Sequence, residues 1–435
     1  MSGPRVAVVV PHYRDQRRLD LVLTGLALQT LHPAAFEVVV ADDGSPRAPE
    51  PGVRPYPVRV VRQPDRGFRA AAARNLGAAA TTAPLLCFLD GDTVPAPGYL
   101  ERVLAAARGP RWLGVGRRRH ADLSTTTPAD LAGWFGGTGP APVEFTEPAW
   151  LREAYDRTDD LRAAGDDAYR FVISAVLVVT RALFEEVGGF EEAFTAYGGE
   201  DWEFANRCWL AGADFLHVRD AVAWHDGPDF ADRGSPDAQR RSRNTEGLAL
   251  ARFVTDPAAR GTGVVRALPD VVVRLDDRGA EEAAVVHAVA SLLTGTDAGV
   301  WLSGGAAAGP AGALSDDPRV HVGEPPPEVL RRCRFQVRVD RPVELSGATV
   351  RDLTDVAPVA GPDLAVHCTR DLARGTGLAA PLPAGVEVVP TGEVDLQRVW
   401  GRRQHERERE RAGERGRQRS LRTPSSVSAT PSASA

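Results

Sequence analysis

Leu85-Leu86-Cys87-Phe88-Leu89-Asp90-Gly91-Asp92 is the stretch on which the reading of the fold turns. Five consecutive apolar residues have the length of a buried strand, and they stop at two carboxylates separated by one small residue. The same design recurs upstream. Residues 5–10 form an apolar run that meets Pro11-His12-Tyr13, residues 36–41 run into Asp42-Asp43-Gly44-Ser45, and Val58–Arg62 is a third run. Helical patterns lie between them. Leu19, Val22, Leu23 and Leu26 share one face behind Asp15, a candidate N-cap, and residues 69–80 form an alanine-rich helix. Strand–helix–strand order with apolar strands means an α/β fold with a doubly wound, mostly parallel sheet. In such sheets ligands bind beyond the carboxyl ends of the strands. Three of the four strands end there in polar, Gly-containing or acidic residues, a coincidence that carries more than any single motif.

Downstream, residues 117–167 loosen into Gly, Pro, Thr and aromatic residues, read as a substrate-facing connection. Order returns with a strand-like run over 171–180, a short helix ending at Gly188-Gly189, and a helix opened by Gly198-Gly199-Glu200-Asp201. A strand near 214–218 leads to Ala223-Trp224-His225. Beyond residue 256 a strand at 270–275, a helix face of Val285, Val289 and Leu292, and a strand at 298–302 echo the first strand, helix and strand. This second copy ends in Ser303-Gly304-Gly305, so it is either a degenerate repeat without its acids or a chance resemblance. The expected organisation is a catalytic domain over 1–255, a second, smaller α/β lobe over 256–400, and a disordered tail over 401–435. That tail is Arg/Glu-rich and then Ser/Pro-rich, with no apolar face to offset the entropy of ordering.

Composition narrows the function. A chain of 435 residues has room for two domains, and 43% hydrophobic with 25% charged residues is the balance of a globular protein. A net charge of −6, with no basic block outside the extreme C-terminus, argues against nucleic acid as a partner. Every side-chain cation besides histidine is arginine, which excludes any mechanism that requires lysine. The four scattered cysteines form no CxxC pair and read as incidental reduced thiols. No run approaches the ~20 apolar residues of a transmembrane segment, and the N-terminal run is too short for a signal peptide core. The expectation is a cytoplasmic protein, with peripheral attachment to a membrane left open. The sequence carries no signal of oligomeric state.

The chemistry gathers at the strand ends. A diphosphate calls for a divalent cation, and hard cations such as Mg²⁺ or Mn²⁺ want carboxylates. Asp90 and Asp92 can reach a ribose and a metal together; the bland alternative is an Asp-Gly turn. Asp42 and Asp43 can accept hydrogen bonds from a nucleobase or ribose, beside Pro11 and the Tyr13 ring. Arg66, Arg69, Arg74 and Asn75 surround the start of the alanine-rich helix, where arginines reach a diphosphate in bidentate fashion unless they are solvated surface groups. Asp201 is the candidate general base, or else a helix N-cap, with Glu200 orienting the acceptor. His225 is a candidate third metal ligand, an imidazole suiting Mn²⁺ better than Mg²⁺.

Taken together, Val8-Val9-Val10-Pro11, Asp42-Asp43-Gly44-Ser45, Ala73-Arg74-Asn75-Leu76-Gly77, Asp90-Gly91-Asp92 and Gly199-Glu200-Asp201-Trp202-Glu203 resemble glycosyltransferase family 2. The Gly-Gly-Glu-Asp element also resembles that of chondroitin-polymerase-like and polypeptide N-acetylgalactosaminyl transferases. The resemblance covers roughly Val6 to Asp226. It implies a GT-A-type fold, a nucleotide-sugar donor with a UDP-sugar favoured, Mn²⁺ or Mg²⁺, and transfer of a hexosyl or N-acetylhexosaminyl group with inversion. The acceptor would be a carbohydrate or other hydroxyl compound, in polysaccharide or glycoconjugate synthesis. It further implies that Asp42 and Asp43 hold base and ribose, that Asp90, Asp92 and His225 serve ribose and metal, and that Asp201 is the base. Arg66-Gly67 departs from the Asn-Gly of many members. A sugar-nucleotide pyrophosphorylase is disfavoured by Pro11-His12-Tyr13 and the missing lysines. A non-catalytic nucleotide-sugar or carbohydrate binding protein would be expected to have lost one of Asp90, Asp92, Glu200 or Asp201, and all four remain.

Overall fold

The structure, a computed structural model, describes residues 3–229, 235–304, 312–392 and 394–401. The expected tail lies, from residue 402, outside the described residues. The first lobe runs β1 (Val6–His12), α1 (Gln16–Ala27), β2 (Phe36–Asp42), β3 (Val58–Arg62), α2 (Ala70–Ala79), β4 (Leu85–Leu89), β5 (Thr93–Pro95), α3 (Tyr99–Ala106) and β6 (Trp112–Ala121). It continues through α4 (Pro128–Phe135), β7 (Glu144–Phe145), α5 (Ala149–Arg157), β8 (Val176–Thr180), α6 (Arg181–Val187), α7 (Glu200–Leu210), β9 (Asp214–Asp226) and α8 (Pro236–Phe253). The strands form one sheet in the order β3-β2-β1-β4-β8-β6-β9-β5, with β7 on β6. β3, β2, β1 and β4 are parallel, and β8 enters antiparallel to β4. Every residue of β2, β4 and β8 is buried, because helices cover both faces, which is why these strands read as unbroken apolar runs. The expected α/β, doubly wound architecture holds. Asp15 caps α1 as expected, its carboxylate accepting the Arg18 N–H.

Two expectations are corrected. Residues 117–121 do not belong to a loose connection: they finish β6, a ten-residue strand between β8 and β9. Two glycines and the Arg117-Arg118-Arg119 run hide it from an apolar-run search. A side chain at Gly114 would collide with the Trp112 indole, and one at Gly116 would lie 2.7 Å from Tyr99, so the strand carries aromatic rings folded over missing side chains. The run over 171–180 is strand only from Val176, behind a single 3-10 turn at Ala168–Phe171.

The second lobe has its own core and a seven-stranded sheet. Its central strands Val320–Val322, Ala298–Leu302, Val271–Leu275 and Phe335–Val339 lie parallel in that order, and Leu364–Cys368 follows antiparallel. Strand order and direction therefore match β3-β2-β1-β4-β8 over five strands. Arginines tie the lobes together. Arg332 meets Glu191 at 2.7 Å and Glu203 at 3.1 Å. Arg370 donates to the Trp209 carbonyl at 2.7 Å while lying 3.5 Å over the Trp209 ring. Arg374 pairs with Asp214 at 2.8 Å. No helix among the described residues is long and apolar enough to cross a membrane.

Candidate active site

The carboxyl ends of β1 and β4, the start of α7 and the end of β9 surround a cavity of about 700 Å³. Its wall includes Pro11, Tyr13, Asp43, Arg74, Asp90, Asp92, Glu200, Asp201 and His225, which the sequence singled out. Sheet register explains the convergence. β5 pairs antiparallel with β9 so that Thr93 faces His225, and the Asp226 N–H donates to the Asp92 carbonyl at 2.9 Å. The Asp92 carboxylate thereby stands 3.2 Å from His225 Nδ1.

Arg74 organises the floor. It is 3% exposed on its side chain, and it donates to Asp90 at 2.7 Å and to Glu200 at 2.9 Å. Two carboxylates around one guanidinium in a desolvated setting hold each other in fixed geometry and raise its proton affinity. The other Glu200 oxygen, Oε2, is buried without a hydrogen-bond partner. Asp201 accepts the Ser174 N–H at 3.2 Å and its own neighbour Trp202 N–H at 2.9 Å. Burial first, and the adjacent Glu200 charge second, push its carboxyl up to about 7, against which the Ser174 N–H and Arg74 act more weakly. A carboxylate poised there is suited to take a proton at neutral pH. Gly199, in the left-handed region at φ 91°, is the N-cap of α7, so Asp201 sits inside the first turn and is not its cap.

Four predicted residues stand outside the cavity wall. Asp42 is fully buried, accepting from Ser45 N at 3.1 Å and Arg62 Nε at 2.8 Å, and it shapes the turn at the end of β2. Asn75 clamps the Phe190 backbone, donating to its carbonyl and accepting its N–H, both at 2.9 Å. The Arg69 side chain points to Glu192 at 3.4 Å, while its backbone N–H donates to Asp43 at 2.8 Å. Arg66 is exposed beside Gly67 and Phe68, which do line the cavity.

Other wall residues were missed by the sequence reading. His120, opposite His225 in the β6–β9 register, packs edge-on against it with ring centres 5.1 Å apart. Its Nδ1 is 3.0 Å from the Gly227 carbonyl, and burial with nearby Arg118 lowers its pKa to about 4, so the ring is neutral. Register alone could have found it, once β6 was recognised. Tyr197, Arg243 and Glu246 join the wall from the loop before α7 and from α8, while Trp150 of α5 lines it from within the connection expected to face substrate.

Asp92 and His225 supply two donors of the kinds that divalent cations of the Mg²⁺ and Mn²⁺ type accept. Among the described residues no group of three or more His, Cys, Asp or Glu side chains forms a ready-made metal cage. A protein pair completed by substrate phosphate oxygens is how Mg²⁺ is ordinarily held, so the donor set fits such an ion.

Residues 7–163 match glycosyl transferase family 2, and residues 164–223 match the N-terminal domain of galactosyltransferase. The resemblance read from the motifs is thus borne out. Validoxylamine A glucosyltransferase of Streptomyces hygroscopicus subsp. limoneus is 36% identical over 244 residues, covering 50% of this chain and 51% of that protein. Chondroitin synthase of Escherichia coli is 30% identical over 241 residues, covering 51% and 35%. The chain thus spans about half or less of the length of these relatives. A solved structure of mannosyltransferase PcManGT from Pyrobaculum calidifontis, in complex with GDP-Man and Mn2+, covers 59% of this chain and 67% of that one, at 19% identity and a TM-score of 0.40.

Proposed function

We propose, from the premise that residues 7–163 carry a glycosyl transferase family 2 region, that this chain transfers a sugar from a nucleotide-diphosphate donor to an acceptor hydroxyl with inversion. The observation that carries the reading is the buried Arg74 bridge, which holds Asp90 of the donor side and Glu200 of the acceptor side around one guanidinium beside Asp201. Asp43, Pro11 and Tyr13 form the wall that would receive base and ribose. Asp92 and His225 would hold a divalent cation, which when bound supplies Lewis-acid stabilisation of the departing diphosphate.

Asp201 takes the proton of the acceptor hydroxyl. The freed oxygen forms a bond to the anomeric carbon from the face opposite the donor phosphate. The anomeric carbon–oxygen bond to phosphate breaks, its electron pair leaves with the nucleotide diphosphate, and one inversion results. Glu200, fixed by Arg74, orients the acceptor. A hexosyl or N-acetylhexosaminyl group is the cargo, and carbohydrate-type hydroxyl compounds are the acceptors. The non-catalytic alternative gains nothing from the relatives compared above, a glucosyltransferase and a synthase.

The test is release of nucleotide diphosphate from a panel of UDP-, GDP- and dTDP-sugars with Mn²⁺. Release with one donor, abolished by EDTA, by Asp92→Ala and by Asp201→Asn, is the expected result. A folded protein that binds none of the donors would overturn the transferase reading.

A further inference from the structure

α8 lies beyond both matched regions, which end at residue 223, yet it supplies part of the cavity wall. Its approach explains the double glycine before Glu200. Gly198 and Gly199 have φ of 92° and 91°, and a Cβ at Gly198 would stand 3.0 Å from the Glu246 carboxyl carbon. A Cβ at Gly199 would lie 3.2 Å from Leu250, one turn further along α8. The chain is therefore bare where α8 presses Glu246 toward the acid pair.

The charges on this side of the cavity do not balance. Arg18 is committed to Asp226 at 3.0 Å, Arg118 to Asp229 at 3.2 Å, and Arg74 to Asp90 and Glu200. Glu246 lines the cavity half-buried, and the charge that acts on it is that of Glu200 and not of exposed Arg243, one turn earlier on α8. The buried Glu200 Oε2 is unpartnered. Glu246 and Asp201 thus both feel the charge of Glu200, while the Arg74 guanidinium beside Glu200 is already shared with Asp90. Burial and the Glu200 charge push the Glu246 carboxyl up to about 6, as expected of like charges gathered in one place. Around the same cavity the half-exposed rings of Phe68, Trp150 and Tyr197 offer apolar faces to a ring-shaped ligand and π faces to a cation.

We propose that Glu246, with Glu200, forms an acceptor subsite that selects a polyhydroxylated ring bearing a protonated amine, such as an amino sugar or aminocyclitol. The inference rests on the transferase reading and specifies its acceptor. The ammonium sits between the two carboxylates, relieves their repulsion and donates hydrogen bonds to both. The ring then lies against the aromatic faces with a hydroxyl toward Asp201.

Direct binding tests this without turnover. Streptamine, an aminocyclitol, and its neutral di-N-acetyl form are titrated calorimetrically into the full chain at neutral pH. The amine is expected to bind at least about tenfold more tightly, and Glu246→Gln, which keeps the shape and removes the charge, is expected to reduce that preference to about twofold or less. Glu246→Asp, which keeps the charge, retains part of it. Equal binding of the two compounds by the wild-type chain, binding of neither, or an undiminished preference in a folded Glu246→Gln chain overturns the proposal. Loss of the transferase reading itself shows separately, as absence of donor binding and diphosphate release.

Discussion

The proton affinity of Asp201 ties chemistry to stability through one carboxyl. With the ionised form of Asp201 as the proposed base, diphosphate release is expected to rise as pH climbs through about 7, with its acidic limb set by this group. Asp201→Asn should lower turnover by about 10²–10⁴-fold while donor binding, followed by titration, persists. The stability sign runs the other way. The folded chain holds this proton more tightly than the unfolded chain, whose aspartate titrates near ~3.9. This carboxyl's contribution to folded-state stability therefore declines as pH rises from about 4 to about 7, so relative to wild type the melting temperature of Asp201→Asn should gain over that range. Arg74 makes the complementary case. Removing a buried cation strands Asp90 and Glu200, so Arg74→Gln should cost about 3–5 kcal/mol in urea unfolding, a loss that a solvated surface arginine would not show.

At the scale of elements, the loop that opens α7 and the helix that presses on it act as one unit. Gly198→Ala forces a left-handed residue to carry a side chain, costing about 1–2 kcal/mol, and drives that side chain against Glu246. The expected outcome is a lower melting temperature together with a raised KM for the acceptor, whereas a purely local strain would leave KM unchanged. Much of this scale was legible beforehand. β1, β2 and β4 announce themselves as runs bounded by polar residues, because strands covered on both faces need no polar alternation. β6 escaped because its packing depends on Trp112 lying across Gly114, a tertiary fit that composition does not display. Glu246 escaped for a related reason: α8 is polar along most of its length, so nothing in its periodicity marks the one turn that meets the cavity. The acids at the strand ends were legible as a set, but their division of labour was not. Asp42 and Asp43 are adjacent in sequence, yet only Asp43 lines the cavity: Asp42 ends β2 and is held by Ser45 N–H and Arg62, whereas Asp43 lies in the bend just beyond the strand.

For the molecule as a whole, the two sheets share strand order over five strands, but only the first keeps Asp42-Asp43 where the second has Ser303-Gly304. The contact between the lobes rests on arginines laid against α7 and its neighbours. Arg370→Ala removes both the ring contact and the bond to the Trp209 carbonyl. Calorimetry is expected to resolve two unfolding transitions in this variant where the wild-type chain shows one. A single unshifted transition would mean that Arg370 does not couple the lobes. α7 itself has its first residues in the cavity and its last turn held by Arg370, with Arg332 gripping its first turn through Glu203. Eleven residues of helix make a stiff tie bar about 16 Å long. A tilt of the far lobe would be delivered to Glu200 and Asp201 in one rigid stroke, so a molecule that wedges the lobes apart would silence the proposed transfer without ever entering the cavity.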